Sequence, residues 1–231
     1  MSLTRHFRFT SVALALSRGT IALAQEPAPS PAPATSTAVG DVFDCLRGRP
    51  LSGAVVRVDS SEQVAVADDE GRFRIEGIAP GGHRLHVEHP ILDTIGVALY
   101  SPLFAFRAGG TIGAELVIPG QETFVQVMCS AAWRNRGPAV LMGRVREADT
   151  GVPATGAKVS LVWYEVEVLN AVRRAPRVRE AQVGPDGTYK ICGLPAQLDG
   201  KVQVLHGSRT SGEIPIAFGS DLVYLRSMGL A

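Results

Sequence analysis

Aromatic side chains are scarce in this chain, 6% of 231 residues, and there are only three cysteines. No run of about 18 apolar residues follows the N-terminal segment, which excludes a membrane-spanning helix in the body of the protein. Charge of either sign is not in excess. There are 23 Lys and Arg against 22 Asp and Glu, and three of the arginines (Arg5, Arg8, Arg18) fall in residues 1–24 with no acid beside them. The remainder carries 20 basic against 22 acidic residues, so there is no basic field to attract nucleic acid. The sequence holds no His-Glu-x-x-His, no Gly-x-Ser-x-Gly and no Cys-x-x-Cys. It therefore nominates no zinc hydrolase site, no nucleophile elbow, no cysteine-held metal and no cofactor.

What is present is foldable: 45% hydrophobic and 19% charged, in a length suited to one or two domains. Residues 1–24 read as a secretory signal peptide. Arg5, His6 and Arg8 precede an apolar core from Phe9 to Leu16, and Ala22-Leu23-Ala24 is a small-residue cleavage signal. Residues 25–38 follow as a Pro/Ala-rich linker in which Pro27, Pro29, Pro31 and Pro33 recur at every second position, an extended spacer with little to bury. Export places the chain in the periplasm, the cell envelope or outside the cell, where disulfides form. The first cysteine, Cys45, is too far from the signal to take a lipoprotein anchor.

The body carries an internal repeat. Gly40-Asp41-Val42 and Pro50-Leu51-Ser52-Gly53-Ala54-Val55-Val56 recur as Gly143-Arg144-Val145 and Pro153-Ala154-Thr155-Gly156-Ala157-Lys158-Val159, at a constant offset of 103. Asp69-Glu70-Gly71-Arg72-Phe73-Arg74-Ile75-Glu76-Gly77-Ile78 recurs as Pro185-Asp186-Gly187-Thr188-Tyr189-Lys190-Ile191-Cys192-Gly193-Leu194, at an offset of 116, so the second copy holds 13 extra residues between the two motifs. The repeat predicts two domains, 39–128 and 139–231, joined by a linker over 129–138. Period-two alternation marks the strands: Phe73 and Ile75 against Arg72, Arg74 and Glu76; Leu85 and Val87 against Arg84, His86 and Glu88. Turn signals at Gly71, Pro80-Gly81-Gly82 and Asp186-Gly187 separate them. The expectation is an all-β chain of two tandem seven-stranded antiparallel sandwiches with no long helix in the body.

At these residues the chain resembles the carboxypeptidase regulatory-like domain family, whose pattern is a Gly-x-Val strand, a Pro-Leu-x-Gly-Ala-x-Val strand, Asp-x-x-Gly-x-Phe and a Pro-Gly turn. The first copy follows it through Pro80-Gly81; the second departs at Leu194-Pro195-Ala196. The resemblance implies a transthyretin-like (prealbumin-like) Greek-key sandwich. It also implies a non-catalytic accessory or surface role, with starch-binding-like sandwiches as relatives. The motif residues Gly53, Ala54, Gly71, Pro80, Gly156, Ala157, Asp186 and Gly187 then have structural work: glycine for positive φ at tight turns, alanine where two sheets approach.

Candidate chemistry is thin. His83 and His89 share a parity that His86 does not, so one metal could not use all three. Cys129 lies just past the end of the first copy and Cys192 ends a strand of the second, at the position of Glu76, which faces away from the core. This placement favours a Cys129–Cys192 disulfide with Cys45 free, three unpaired thiols being the alternative. In the second copy's longer hairpin, Ala157, Val159, Leu161 and Trp163 take the inward parity. Val162, Tyr164, Val166 and Val168 form an outward apolar row, a docking surface. Arg173, Arg174, Arg177 and Arg179 follow. They read either as a solvated tip balanced by Glu165, Glu167 and Glu180, or as a site for an anionic envelope partner such as acidic polysaccharide or lipid head groups. Trp133 and Tyr164 are the rings on which a sugar would stack. The function expected is that of an exported, non-catalytic structural or interaction protein whose partner is an envelope protein or polysaccharide. The alternatives are a carbohydrate-binding module, or an accessory subunit of a secreted peptidase or outer-membrane transporter.

Overall fold

The computed structural model describes residues 34–168 and 172–231. The signal-peptide reading and most of the linker reading fall on residues 1–33, outside the described residues.

In the first half, β1 (Ser36–Asp44), β2 (Arg49–Pro50), β3 (Val55–Val58), β4 (Val64–Val66), β5 (Arg72–Ile78), β6 (Gly81–His83) and β7 (Leu85–Glu88) lead to helix α1 (Pro90–Ile95), then β8 (Leu99–Tyr100), β9 (Phe104–Phe106) and β10 (Thr111–Ile118). One sheet sets β1 between β10 and β5, with β2 at the end of β1; the other runs β4-β3-β7-β8, and β6 pairs with β9. Helices α2 (Gln121–Met128) and α3 (Ala131–Arg134) follow. The second half comprises β11 (Ala139–Glu147), β12 (Lys158–Val168), β13 (Val172–Gln182), β14 (Thr188–Leu194), β15 (Leu198–His206), β16 (Arg209–Thr210), β17 (Ile214–Phe218), β18 (Val223–Leu225) and β19 (Met228–Leu230). There β11 lies beside β14 and, on its other edge, β18 and then β19; the facing sheet is β13-β12-β15, continued by β16 and β17. Alternation works as the sequence suggests: in β5, Phe73, Ile75 and Ile78 are buried and Arg72, Arg74 and Glu76 exposed. The chain is an all-β sandwich protein.

The motif residues occupy matching places in the two halves, hydrogen bond for hydrogen bond. Val42 N–H donates to the Gly71 carbonyl and Val145 N–H to Gly187, each at 2.8 Å; Gly53 N–H donates to Ala67 and Gly156 N–H to Val183, at 3.0 and 3.1 Å. Ala67 N–H donates back to Ala54 and Val183 N–H to Ala157, each at 2.8 Å. Gly71 (φ 77°) and Gly187 (φ 84°) sit in the left-handed region, where a Cβ would also meet the Val42 or Val145 carbonyl. Ala54 and Ala157 are fully buried.

Four details depart from the sequence reading. The sandwiches are not wholly antiparallel: β1 runs parallel to β10 from Thr37–Thr111 to Asp44–Ile118, and β11 runs parallel to β18 and β19. The first and last strands of each half become neighbours after a long intervening excursion, the length that a parallel crossover needs. The linker expected to reach residue 38 ends sooner, because β1 begins at Ser36, whose hydroxyl donates to the Arg107 carbonyl and which, with Ala38, is buried. Residues 129–138 are not a bare linker, since α3 lies within them. Cys192, assigned by parity to an outward face, is buried because α2, α3 and the disulfide cover that side of β14.

Pro33–Ala231 forms one compact unit, and β11 explains why. Ala139, Leu141 and Val145 enter the second core, while Val140 and Met142 pack with the first, together with Cys192 and Val223. The uninterrupted apolar run Ala139-Val140-Leu141-Met142 is the signature of a strand buried on both faces. Helix α1 supplies Ile91, Leu92 and Ile95 to that shared layer. It starts with His89 as N-cap and Pro90 at the first turn, and stops at Gly96 in the left-handed conformation.

Candidate functional site

The longer hairpin of the second half stands out from its sheet. β12 and β13 pair without interruption from Lys158–Gln182 to Val168–Val172, but β15 accompanies β12 only as far as Trp163–Gly200. Beyond Trp163 the hairpin is a two-stranded ribbon with no neighbouring strand among the described residues. Period-two geometry gives it two unlike faces.

One face is apolar. It pairs Val162 with Val178, Tyr164 with Pro176, Val166 with Arg174, and Val168 with Val172. Tyr164 and Val166 are each 63% exposed, and Val168 and Val172 each 72%. Arg174 forms no ion pair among the described residues.

The other face is a closed charge network. Arg177 bridges Glu165 at 2.9 Å and Glu167 at 2.8 Å, and Arg173 reaches the second oxygen of Glu167 at 2.7 Å. The Trp163 indole N–H donates to Glu165 at 3.0 Å, and the Arg179 guanidinium lies 5.8 Å from the Trp163 ring centre. Hydrogen bonds from Arg177 first, and from Trp163, hold the Glu165 carboxyl below its ordinary range; the same contact with Glu165 raises Arg177. The four arginines are therefore not one cationic patch. Arg173 and Arg177 are neutralised by Glu165 and Glu167, Arg179 lies over Trp163, and Arg174 is on the opposite, apolar face.

A second feature is a groove of about 700 Å³ beside the disulfide, walled by Met128, Trp133, Arg179, Lys190 and Ile191 with Ile95 from α1. Cys129 and Cys192 are bonded, with Cα atoms 5.9 Å apart, and clamp the end of α2 to β14. Lys190 Nζ donates to the Met128 carbonyl at 2.6 Å, and Arg134 donates to the carbonyls of Cys129 and Gln126. Trp133 is 40% exposed, with the Arg136 guanidinium over its ring at 4.7 Å. Tyr164 does not line this groove, so the two candidate rings do not make one platform.

The histidines are dispersed. His83 Nε2 bonds to the Ala79 carbonyl, His86 lies between Asp59 at 2.9 Å and Glu88 at 3.3 Å, and His89 caps α1. Among the described residues no three metal-ligating side chains converge. Cys45 is exposed and unbonded. Of the motif residues, Pro80 precedes β6, and Asp186 accepts from the Thr188 N–H and hydroxyl, which lower its pKa; both hold turns. The sequence reading missed Val172, Pro176 and Val178, which double the apolar face. Their even parity with Arg174 was the available signal.

No family model matches the chain, and no curated protein matches it. Solved structures resemble it distantly. The shaft pilin of Lactobacillus rhamnosus GG aligns at 10% identity over 85% of this chain and 98% of its own, with a TM-score of 0.29. A DUF3823 family protein from Parabacteroides merdae aligns at 12% identity over 84% and 100%, with a TM-score of 0.30. A streptococcal ancillary pilin aligns at 11% identity over 86% of this chain, with a TM-score of 0.31; the chain spans 63% of that protein, less than two thirds. At TM-scores near 0.3 these likenesses carry no argument about this chain.

Proposed function

We propose that this protein is an exported, non-catalytic interaction protein of the cell envelope, built of two tandem carboxypeptidase regulatory-like sandwiches, the first from β1 at Ser36 to residue 128 and the second over 139–231. The observation that carries the reading is the β12–β13 ribbon, which holds an apolar face out of a disulfide-clamped body. The matched hydrogen bonds of the two motif copies support the tandem reading, and the disulfide supports an oxidising compartment. The partner surface comprises Tyr164 and Val166 with Arg174 among them; Arg173, Arg177 and Arg179 stiffen the ribbon from behind. The test is a photo-crosslinking residue at position 164 in living cells, with exposed Glu115 of β10 as the control site. A discrete adduct at 164 alone, with Cys129–Cys192 oxidised, is the expected result. No adduct at 164, or a protein held reduced in the cytoplasm, rejects the reading.

Carbohydrate binding is the second reading, and the exposed Trp133 ring on the groove favours it. A glycan array tests it: a hit should be lost on Trp133→Ala and retained on Tyr164→Ala.

A further inference from the structure

The ribbon's apolar face carries Arg174 and Glu180, whose spacing says what it fits; Lys158, paired with Glu180, shares the face, and Lys201, across from Val162 on β15 and paired with Glu213, borders it. On β13, Val172, Arg174, Pro176, Val178 and Glu180 share one parity and therefore one face. Arg174 lies across from Val166, and Glu180 across from Ser160. The two are six residues apart, about 20 Å along an extended strand. They are symmetric about a point between Pro176 and Val178, next to Tyr164 and Val162 on the paired strand.

We propose that this face docks on the same face of a second copy. A two-fold axis lying between the faces and perpendicular to the strands sets β13 over the other copy's β13 in the opposite direction. Arg174 of each copy then meets Glu180 of the other, and Pro176 meets Val178. Tyr164 and Val162 fill the centre, and the face is isologous, as a closed dimer requires. The alternative two-fold, along the strands, places β13 over β12 and leaves both Arg174 side chains facing apolar Val166, so charge selects the first arrangement. The exposed side chains amount to roughly 500 Å² per copy, so the pair buries on the order of 1,000 Å², the lower limit for a specific interface. The dimer is accordingly weak, in the micromolar range. Glu180 already has Lys158 at 3.2 Å, an exposed contact that leaves its second oxygen for the partner. The face behind, closed by Glu165, Glu167, Arg173 and Arg177, stays in water.

The inference names the occupant of the partner surface proposed above and rests on that reading of the ribbon, but not on the envelope location. It is tested by sedimentation equilibrium of the purified, oxidised mature protein (residues 25–231) across micromolar concentrations. Monomer–dimer exchange is expected, with the dimer weakened at least tenfold by Tyr164→Ser and by Arg174→Glu. Glu180→Arg alone weakens it likewise, and the double swap Arg174→Glu with Glu180→Arg restores it. That rescue would not follow from a merely structural role or from non-specific stickiness. A monomer at all concentrations, or a dimer indifferent to all four variants, overturns the proposal. So does a monomer that sediments with anionic phosphatidylglycerol vesicles through Tyr164, since the face would then serve a lipid surface. A monomeric outcome leaves the crosslinking test of the envelope reading untouched.

Discussion

Two hairpins at matching places in the two halves differ in length and in consequence. In the first half, β3 and β4 leave the Gly53-Ala54 turn, make three pairs from Val55–Val66 to Arg57–Val64, and close through Ser60 at a φ of 62°. In the second, β12 and β13 leave Gly156-Ala157 and run eleven pairs, to Val168–Val172. The hydrogen bonds at the base are the same in both. The frame therefore fixes only where the hairpin starts. The 13 added residues extend the strand pair past Trp163, where among the described residues no other strand accompanies it, and the extension holds itself together with cross-strand ion pairs on one face. Its other face is free to be apolar. Length added to an edge hairpin thus yields a surface without altering a core.

The comparison can be broken at the clamp first. Cys129→Ser or Cys192→Ser opens a covalent link between residues 63 apart, worth about 4 kcal/mol in the chain-entropy model and often less in practice. A clear fall in the denaturant midpoint is expected, and an unchanged midpoint would mean the clamp contributes nothing to the second half. Truncating the shared strand comes next. Met142→Ala removes a buried side chain from the layer between the cores and should cost about 2–4 kcal/mol, with both halves melting together in calorimetry. Two separate transitions would contradict a shared strand. Gly71→Ala and Gly187→Ala should each cost about 1–3 kcal/mol, Gly71→Ala somewhat the more, because each puts a Cβ against the same carbonyl of the Gly-x-Val strand, at 2.5 and 2.9 Å. A large difference between them would end the equivalence of the halves. The smallest effect is that of acid on the ribbon. Glu165 is held below its ordinary range, so its contribution is complete above the unfolded carboxyl pKa and is lost as pH falls through the folded one. The Trp163 emission should follow that loss, and Glu165→Gln should remove the pH dependence while leaving the global midpoint nearly unchanged.

Much of this architecture is legible without coordinates, because strands that are half buried alternate and turns need glycine. Phe73, Ile75, Leu85 and Val87 show the first, and Gly71 and Gly187 the second. The disulfide could be read from the ends of two elements, and the ribbon's length from the change in repeat offset. The parallel partner of β1 could not, because Thr111–Ile118 carries no local mark of the direction in which it will be met. Nor could the fate of the arginines. Parity separates Arg174 from Arg173, Arg177 and Arg179, but only the register of β12 against β13 brings Glu165 and Glu167 within reach. The run Ala139–Met142 has the composition of a strand buried on both sides, but the sequence reading passed over it, and that its second side is covered by α1 and α2 depends on contacts distant in sequence.

The parallel pairing of first and last strands has a mechanical consequence. Tension applied at Ser36 and Ile118 pulls β1 and β10 lengthwise past each other, so their bonds are loaded together in shear instead of being unzipped one at a time. The same holds for β11 against β18 and β19 when the chain is pulled from Ala139 and Leu230. Each pairing resists extension between its own two ends, and the Cys129–Cys192 bond, which closes residues 129–192 into a loop, carries part of the load past Ala139.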